Sequence, residues 1–224
     1  MIILIGLPMI LGLVAQAKVS SAFGKWKNVR ASSNVTGAEA AREILRAANI
    51  HDVDVVEIND MLGDHYDPMN KRLCLSTDVY NTPSVAALGI AAHEVGHAIQ
   101  HAKAYAPLKW RMAVVPATMA VSKILPIVII AGFFIPALGY HAIMVAAICY
   151  AVLAVFQLVT LPVEFDATRR AKVILGQMGL IQPGNEAAGV NNVLDSAALT
   201  YVAAFVAVLG QLLYYLMILL GNRR

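Results

Sequence analysis

Apolar residues gather into four runs along this chain, at residues 1–17, 124–140, 142–161 and 197–220. Each is close to the roughly 17–25 residues that a helix needs to cross a bilayer. Only Tyr140-His141 separates the second run from the third, which predicts a tight turn there. Residues 112–122 are expected to lengthen the second helix, giving 112–140. Pro116, Pro126 and Pro136 are candidates for kinks in it. Lys123 stands at the edge of the run, where its stem can lie along apolar surface while the ammonium reaches water.

Residues 18–111 follow a different pattern. Thr36-Gly37-Ala38-Glu39 reads as a capping box. It opens an amphipathic helix through Asn49, with Ile44, Leu45 and Ala48 on one side. Residues 53–58 are β-branched and predict a strand. Residues 59–70 are rich in Asp, Asn, Gly and Pro and read as a loop. Residues 72–76 predict a second strand, and Leu73–Ser76 is the candidate edge that would hold an extended substrate backbone. A helix is expected over about 83–102, with Thr82 as N-cap and Pro83 in the first turn. Asp64, His65 and Asp67 form a polar cluster that turn chemistry explains as well as an ion would. Gly179, Pro183 and Gly184 break the region after the third run, predicting short helices or loops at 162–178 and 185–195.

Composition agrees with the spans. Of 224 residues, 59% are hydrophobic and 14% charged, and the mean hydropathy is +0.67. That is too apolar for a water-soluble domain of this size. Twelve of the 17 Lys and Arg lie from Lys18 to Lys123 and three more at Arg169, Arg170 and Lys172. Four alternating spans place these 15 on one side, which the positive-inside rule makes the cytoplasm. Both termini then lie outside, an assignment that Arg223 and Arg224 oppose weakly. Ala15-Gln16-Ala17 resembles a signal-peptide cleavage site, but no Lys or Arg precedes it, so the first run is expected to be retained. The formal charge of +3 is too small to imply nucleic acid, and the basic residues beside the spans suit anionic lipid instead. Cys74 and Cys149 fall in different environments and predict no disulfide.

The chemistry sits in His93-Glu94-Val95-Gly96-His97. Two histidines four apart on a helix lie about 40° apart around its axis and one turn apart along it, so both can reach one tetrahedral Zn²⁺. Glu94 is offset by about 100°, where it can face an attacking water without ligating the metal. A hydrolytic zinc site needs a third protein ligand. His101 lies about 12 Å up the helix from His93 and is excluded. The remaining candidates are Glu164, Asp166, His141, Asp195, Glu186, His51 and His65. His141 lies at the far end of the second span, about 30 Å away. The third span returns the chain to the histidine side at Glu164 and Asp166. These two are about 200° apart on a helix, so only one can face the metal.

His93-Glu94-x-x-His97, then a two-span hairpin, then Glu164-Phe165-Asp166-Ala167 resembles the gluzincin-type membrane zinc metallopeptidases. Within these the chain is most similar to the YugP-type neutral zinc metallopeptidases, and more distantly to HtpX-type proteases. The resemblance extends to Asp64-His65-Tyr66-Asp67-Pro68 and to Ala198-Leu199-Thr200-Tyr201-Val202, and so covers nearly the whole chain. It implies that Glu164 is the third zinc ligand. Gluzincins often carry an aspartate four residues after that glutamate, to orient a ligand histidine. Here the position is Thr168, which can do so only as a neutral partner. Tyr201 could donate to an oxyanion or anchor its helix at the interface.

The sequence therefore predicts a predominantly α integral membrane protein with a small α+β zincin-like portion. It would form one peptidase domain over 1–224, with spans at 1–17, 112–140, 142–161 and 197–220. One Zn²⁺ on His93, His97 and Glu164, with Glu94 as general base, would hydrolyse peptide bonds. By resemblance the partners are membrane or membrane-associated polypeptides and the lipid bilayer, with no nucleic acid. A membrane adaptor with a structural metal would need a fourth ligand, and a metal transporter would need ionisable residues at mid-span. The sequence offers neither.

Overall fold

A computed structural model describes residues 2–60 and 63–221. The elements run α1 (Ile2–Trp26), α2 (Gly37–Ala47), β1 (Asp54–Ile58), β2 (His65–Asp67), β3 (Arg72–Ser76), α3 (Thr77–Tyr80), α4 (Val85–Ala102) and α5 (Ala106–Phe134). A 3₁₀ turn at Pro136–Leu138 then leads to α6 (Gly139–Gln177) and α7 (Asn185–Gly221). Four helical stretches are long and apolar enough to cross a membrane: Leu4–Trp26, Ala106–Phe134, Pro136–Gln177 and Asn185–Gly221. The fold is thus predominantly α with a small three-stranded sheet, as the pattern predicts.

The apolar helices run further than the apolar runs that predict them. Hydrophobicity marks only the stretch suited to lipid, whereas backbone hydrogen bonding carries each helix on until a residue stops it. The predicted pieces at 162–178 and 185–195 are therefore continuous with α6 and α7, not separate helices or loops. The turn between the second and third runs also moves. Pro136, which lacks an N–H, ends α5 just upstream, and Tyr140 and His141 form the first turn of α6. Pro116 and Pro126 lie inside α5 and Pro162 inside α6.

Contacts divide the chain into two compact units. The first comprises Met1–Ala15, Pro107–Pro162 and Thr200–Arg224. Large apolar side chains such as Leu13, Ile127, Phe133 and Phe134 point outward from it. Its inward contacts include Leu125, Ala146 and Cys149, and Tyr150 stacks on Tyr215 at 5.5 Å between ring centroids. An apolar exterior of this kind suits lipid rather than water.

The second unit comprises Gln16–Ala106 and Val163–Leu199 and has a well-filled core. Ile44 of α2, Leu73 and Leu75 of β3, Leu88 and Val95 of α4, Leu175 of α6 and Val190 of α7 are all fully buried there. Burying one such side chain stabilises the fold by about 1.5–3 kcal/mol. The capping box forms as predicted. The Thr36 hydroxyl accepts from the Glu39 N–H at 3.3 Å, and the Glu39 carboxylate accepts from the Thr36 N–H at 2.8 Å. Helix α2 stops at Ala47, two residues short of the prediction, and Asn49 turns the chain at φ 57°. At α4 the N-cap is Ser84 rather than Thr82, its hydroxyl accepting from the Ala87 N–H at 3.2 Å. Pro83 is left to pair through its carbonyl with the Ala31 N–H, while the Val85 N–H donates to the Val29 carbonyl. These bonds tie the start of α4 to the chain leaving α1.

The sheet has the order β1-β3-β2, with β1 parallel and β2 antiparallel to β3. This corrects two expectations. A third strand, His65–Asp67, lies in the segment read as a loop. Leu73–Ser76 is in the central strand rather than an edge, since β1 pairs along the whole of β3 and β2 covers its other side from Arg72 to Cys74. Leu73 to Ser76 are all buried, as a central strand requires. The edge beside α4 belongs to β2.

Candidate metal centre

Helix α4 carries His93 and His97 toward α6 because nothing larger than hydrogen stands between the helices. A Cβ on Gly96 would lie 2.9 Å from the Ala167 carbonyl oxygen and 3.1 Å from its Cα. Real Cβ contacts are not that short, so glycine sets the approach of the two helices. Across this contact Glu164 Oε2 stands 3.3 Å from His93 Nε2 and 3.6 Å from His97 Nε2. The two imidazoles meet edge to face, 4.8 Å apart. Ligand atoms of His93, His97 and Glu164 all lie within 4.8 Å of one another, and among the described residues no other His, Cys, Asp and Glu group is arranged this way.

The donor set suits Zn²⁺. Two imidazole nitrogens and a carboxylate oxygen are the ligand types of a catalytic zinc site with a fourth position open. Both histidines turn Nε2 to the shared centre and have their other nitrogen engaged. His93 Nδ1 lies 3.3 Å from the Thr168 hydroxyl, and His97 Nδ1 lies 3.0 Å from Gln100 Oε1. Outer partners of this kind fix the ring and raise its basicity toward a metal. Thr168 is thus the neutral partner of His93 that its position on α6 suggests. Glu164 is 1% exposed and His97 8%, so water competes little for these groups.

Glu94 lies on α4 outside the ligand group, as the helical offset requires. It is 9% exposed, and its Oε2 accepts from the Tyr66 N–H of β2 at 3.0 Å. Burial pushes its carboxyl pKa up, against the pull of His93 and His97. Burial alone would disfavour a charged His97, but the hydrogen bond it donates to Glu164 and the charges of Glu94 and Glu164 outweigh it and move its pKa up. A carboxyl raised by burial is the kind of group that serves as an acid–base catalyst near neutral pH.

The other candidates go elsewhere. His101 pairs through Nδ1 with the Tyr66 hydroxyl at 2.8 Å, and His51 through Nε2 with Asn49. His65 bonds the Gly63 carbonyl. His141 is exposed in the first turn of α6. Asp195 pairs with Lys172, and Glu186 accepts from the Ser32 and Gln182 N–H groups. Asp64 accepts from Ser76 and Asp67 from Met69 and Asn70, so turn and strand chemistry account for that polar cluster. Tyr201 lies half-buried in α7, within the first unit.

Asp166, the other candidate ligand on this part of α6, lies outside the group of three. It is 8% exposed and accepts from Gln100, Arg169 and Arg170. Gln100 was not singled out from sequence, although it lies three residues past His97, on the same face of the helix. Tyr66 escaped notice because its contribution is a backbone N–H, which no side-chain motif encodes.

Two histidines one turn apart, a glutamate from a second helix, and helices able to cross a bilayer define a class: membrane proteins with the donor set of a zinc peptidase. The chain belongs to the family described as "Putative neutral zinc metallopeptidase", whose model matches residues 1–220. It is 44% identical over 209 residues to the "Putative membrane protease YugP" of Bacillus subtilis (strain 168), covering 93% of this chain and 92% of that protein. No solved structure matches the chain.

Proposed function

We propose that this chain is a zinc endopeptidase acting on membrane or membrane-associated polypeptides, with one Zn²⁺ per chain on His93, His97 and Glu164. The observation that carries the reading is the convergence of those three donors, with buried Glu94 beside them yet outside the set. Zn²⁺ at such a site supplies Lewis acidity, polarising a carbonyl and acidifying water. Glu94 takes the proton of the attacking water on its carboxylate and passes it to the leaving amine. The Tyr66 N–H holds that carboxylate in place, and Thr168 and Gln100 hold the imidazoles. A structural zinc site closes with four protein ligands, and this group offers three. Purified detergent-solubilised protein should contain one zinc per chain and cleave an unfolded polypeptide. Removing the metal with a chelator should abolish cleavage, and adding zinc back should restore it. Cleavage unchanged in metal-free protein would sink the reading.

We also place the chain in the cell membrane with four spans and the site on the cytoplasmic side. The asymmetry of 15 of 17 basic residues supports this. Buried Cys74 and Cys149 can be replaced to give a cysteine-free background. In that background Asn28→Cys, exposed two residues past α1, should resist a membrane-impermeant thiol reagent in intact cells. His141→Cys should be labelled. The opposite pattern inverts the topology.

A further inference from the structure

Gln100 is wholly buried, and its amide is fully engaged. Its Nε2 donates to the Val163 carbonyl at 2.8 Å and to Asp166 Oδ2 at 3.0 Å. Its Oε1 stands 3.0 Å from His97 Nδ1. A primary amide has two N–H groups, and both are spent on oxygens that can only accept. Turning the amide over would bring Oε1 against those two oxygens and lose both bonds. The amide therefore has one orientation, with its oxygen toward His97. An oxygen there requires a proton on Nδ1, which leaves the Nε2 lone pair to face the metal position.

Asp166 and the Val163 carbonyl together make that orientation obligatory, and of the two only Asp166 is a side chain. Its carboxylate is held in the charged, acceptor-only form by Arg169 and Arg170. The second ligand has no such lock. His93 Nδ1 faces a threonine hydroxyl, which can donate or accept.

We infer that Asp166 is a positioning residue for the metal: through Gln100 it fixes His97 in the tautomer that presents Nε2. The inference rests on the zinc-site reading given above. Asp166→Asn keeps the shape but can offer an N–H to Gln100, which leaves the Val163 carbonyl alone to oppose a turned amide that presents its own N–H to His97.

The test is zinc affinity of the full chain, measured by competition with a chromophoric chelator, with the helical content of each zinc-free protein recorded alongside. Asp166→Asn should weaken zinc binding by roughly 10–100-fold, the usual effect of losing an outer partner of a metal-bound histidine. In a Gln100→Glu background the same change should weaken it no further, because a carboxylate at position 100 accepts from His97 whichever way it turns and an amide in place of the Asp166 carboxylate only relieves the acceptor it faces. A residue that merely supports the fold would lower affinity equally in both backgrounds, and that outcome overturns the inference, as does wild-type affinity in Asp166→Asn alone. Should the single variant not fold, the comparison within the Gln100→Glu background still decides, since a tenfold loss there contradicts the lock. Wild-type protein that binds no zinc would instead defeat the zinc-site reading itself.

Discussion

Glu94→Gln is expected to keep its zinc and lose peptide hydrolysis by roughly 10²–10⁴-fold, the contribution of a positioned general base. Glutamine preserves the shape of the side chain, and its carbonyl oxygen can still accept the Tyr66 N–H that holds Glu94 at 3.0 Å. The local fold should therefore survive. What disappears is the ability to take a proton. The proposed ligand atoms belong to His93, His97 and Glu164, so the metal should not notice the change. Zinc content and cleavage measured on one preparation, beside wild type, separate the roles. A variant that holds zinc and cleaves at the wild-type rate removes Glu94 as the base. A variant that loses its zinc makes Glu94 a ligand or a support of the site.

Glu164→Ala should strip most of the bound zinc, while His141→Ala keeps it. Glu164 is 1% exposed, and its Oε2 faces Nε2 of both histidines. Removing it leaves two ligands, fewer than a catalytic zinc site ordinarily has. Nearby Asp166 cannot take over, because its oxygens are bound by Gln100, Arg169 and Arg170. His141, on the same helix, stands in its first turn, more than 20 residues away. Metal analysis after gel filtration reads the difference directly. Full zinc occupancy in the Glu164 variant would dismiss that residue as a ligand.

Local and periodic signals carried the parts of the fold that depend on neighbours in sequence. The capping box at Thr36, strands β1 and β3, the motif helix and the four apolar helices are of this kind. The meeting of Glu164 with His93 was legible for another reason: an apolar hairpin must return the chain to the side it left. Strand β2 was hidden because its three residues lie among turn formers and owe their extended shape to pairing with β3. For the same reason sequence could not say which strand is central. Apolarity located the spans but not the helix ends, so residues 162–177 read as a separate piece. The Gln100–Asp166 contact spans 66 residues and joins two ordinary polar side chains, so no spacing rule reveals it.

Helix α6 runs for 39 residues, which is about 58 Å of helix at the ordinary rise. It carries an apolar stretch at one end and Glu164 beyond it. His93 and Glu164 are separated by 71 positions, so the ribosome delivers both histidines well before the third ligand. A nascent or truncated chain that lacks α6 owns only two of the three donors. The donor set is therefore completed late in synthesis, on a helix long and apolar enough to cross a bilayer. On the proposed reading an incompletely made copy has no complete site, because Glu164 arrives with the apolar segment that precedes it on α6.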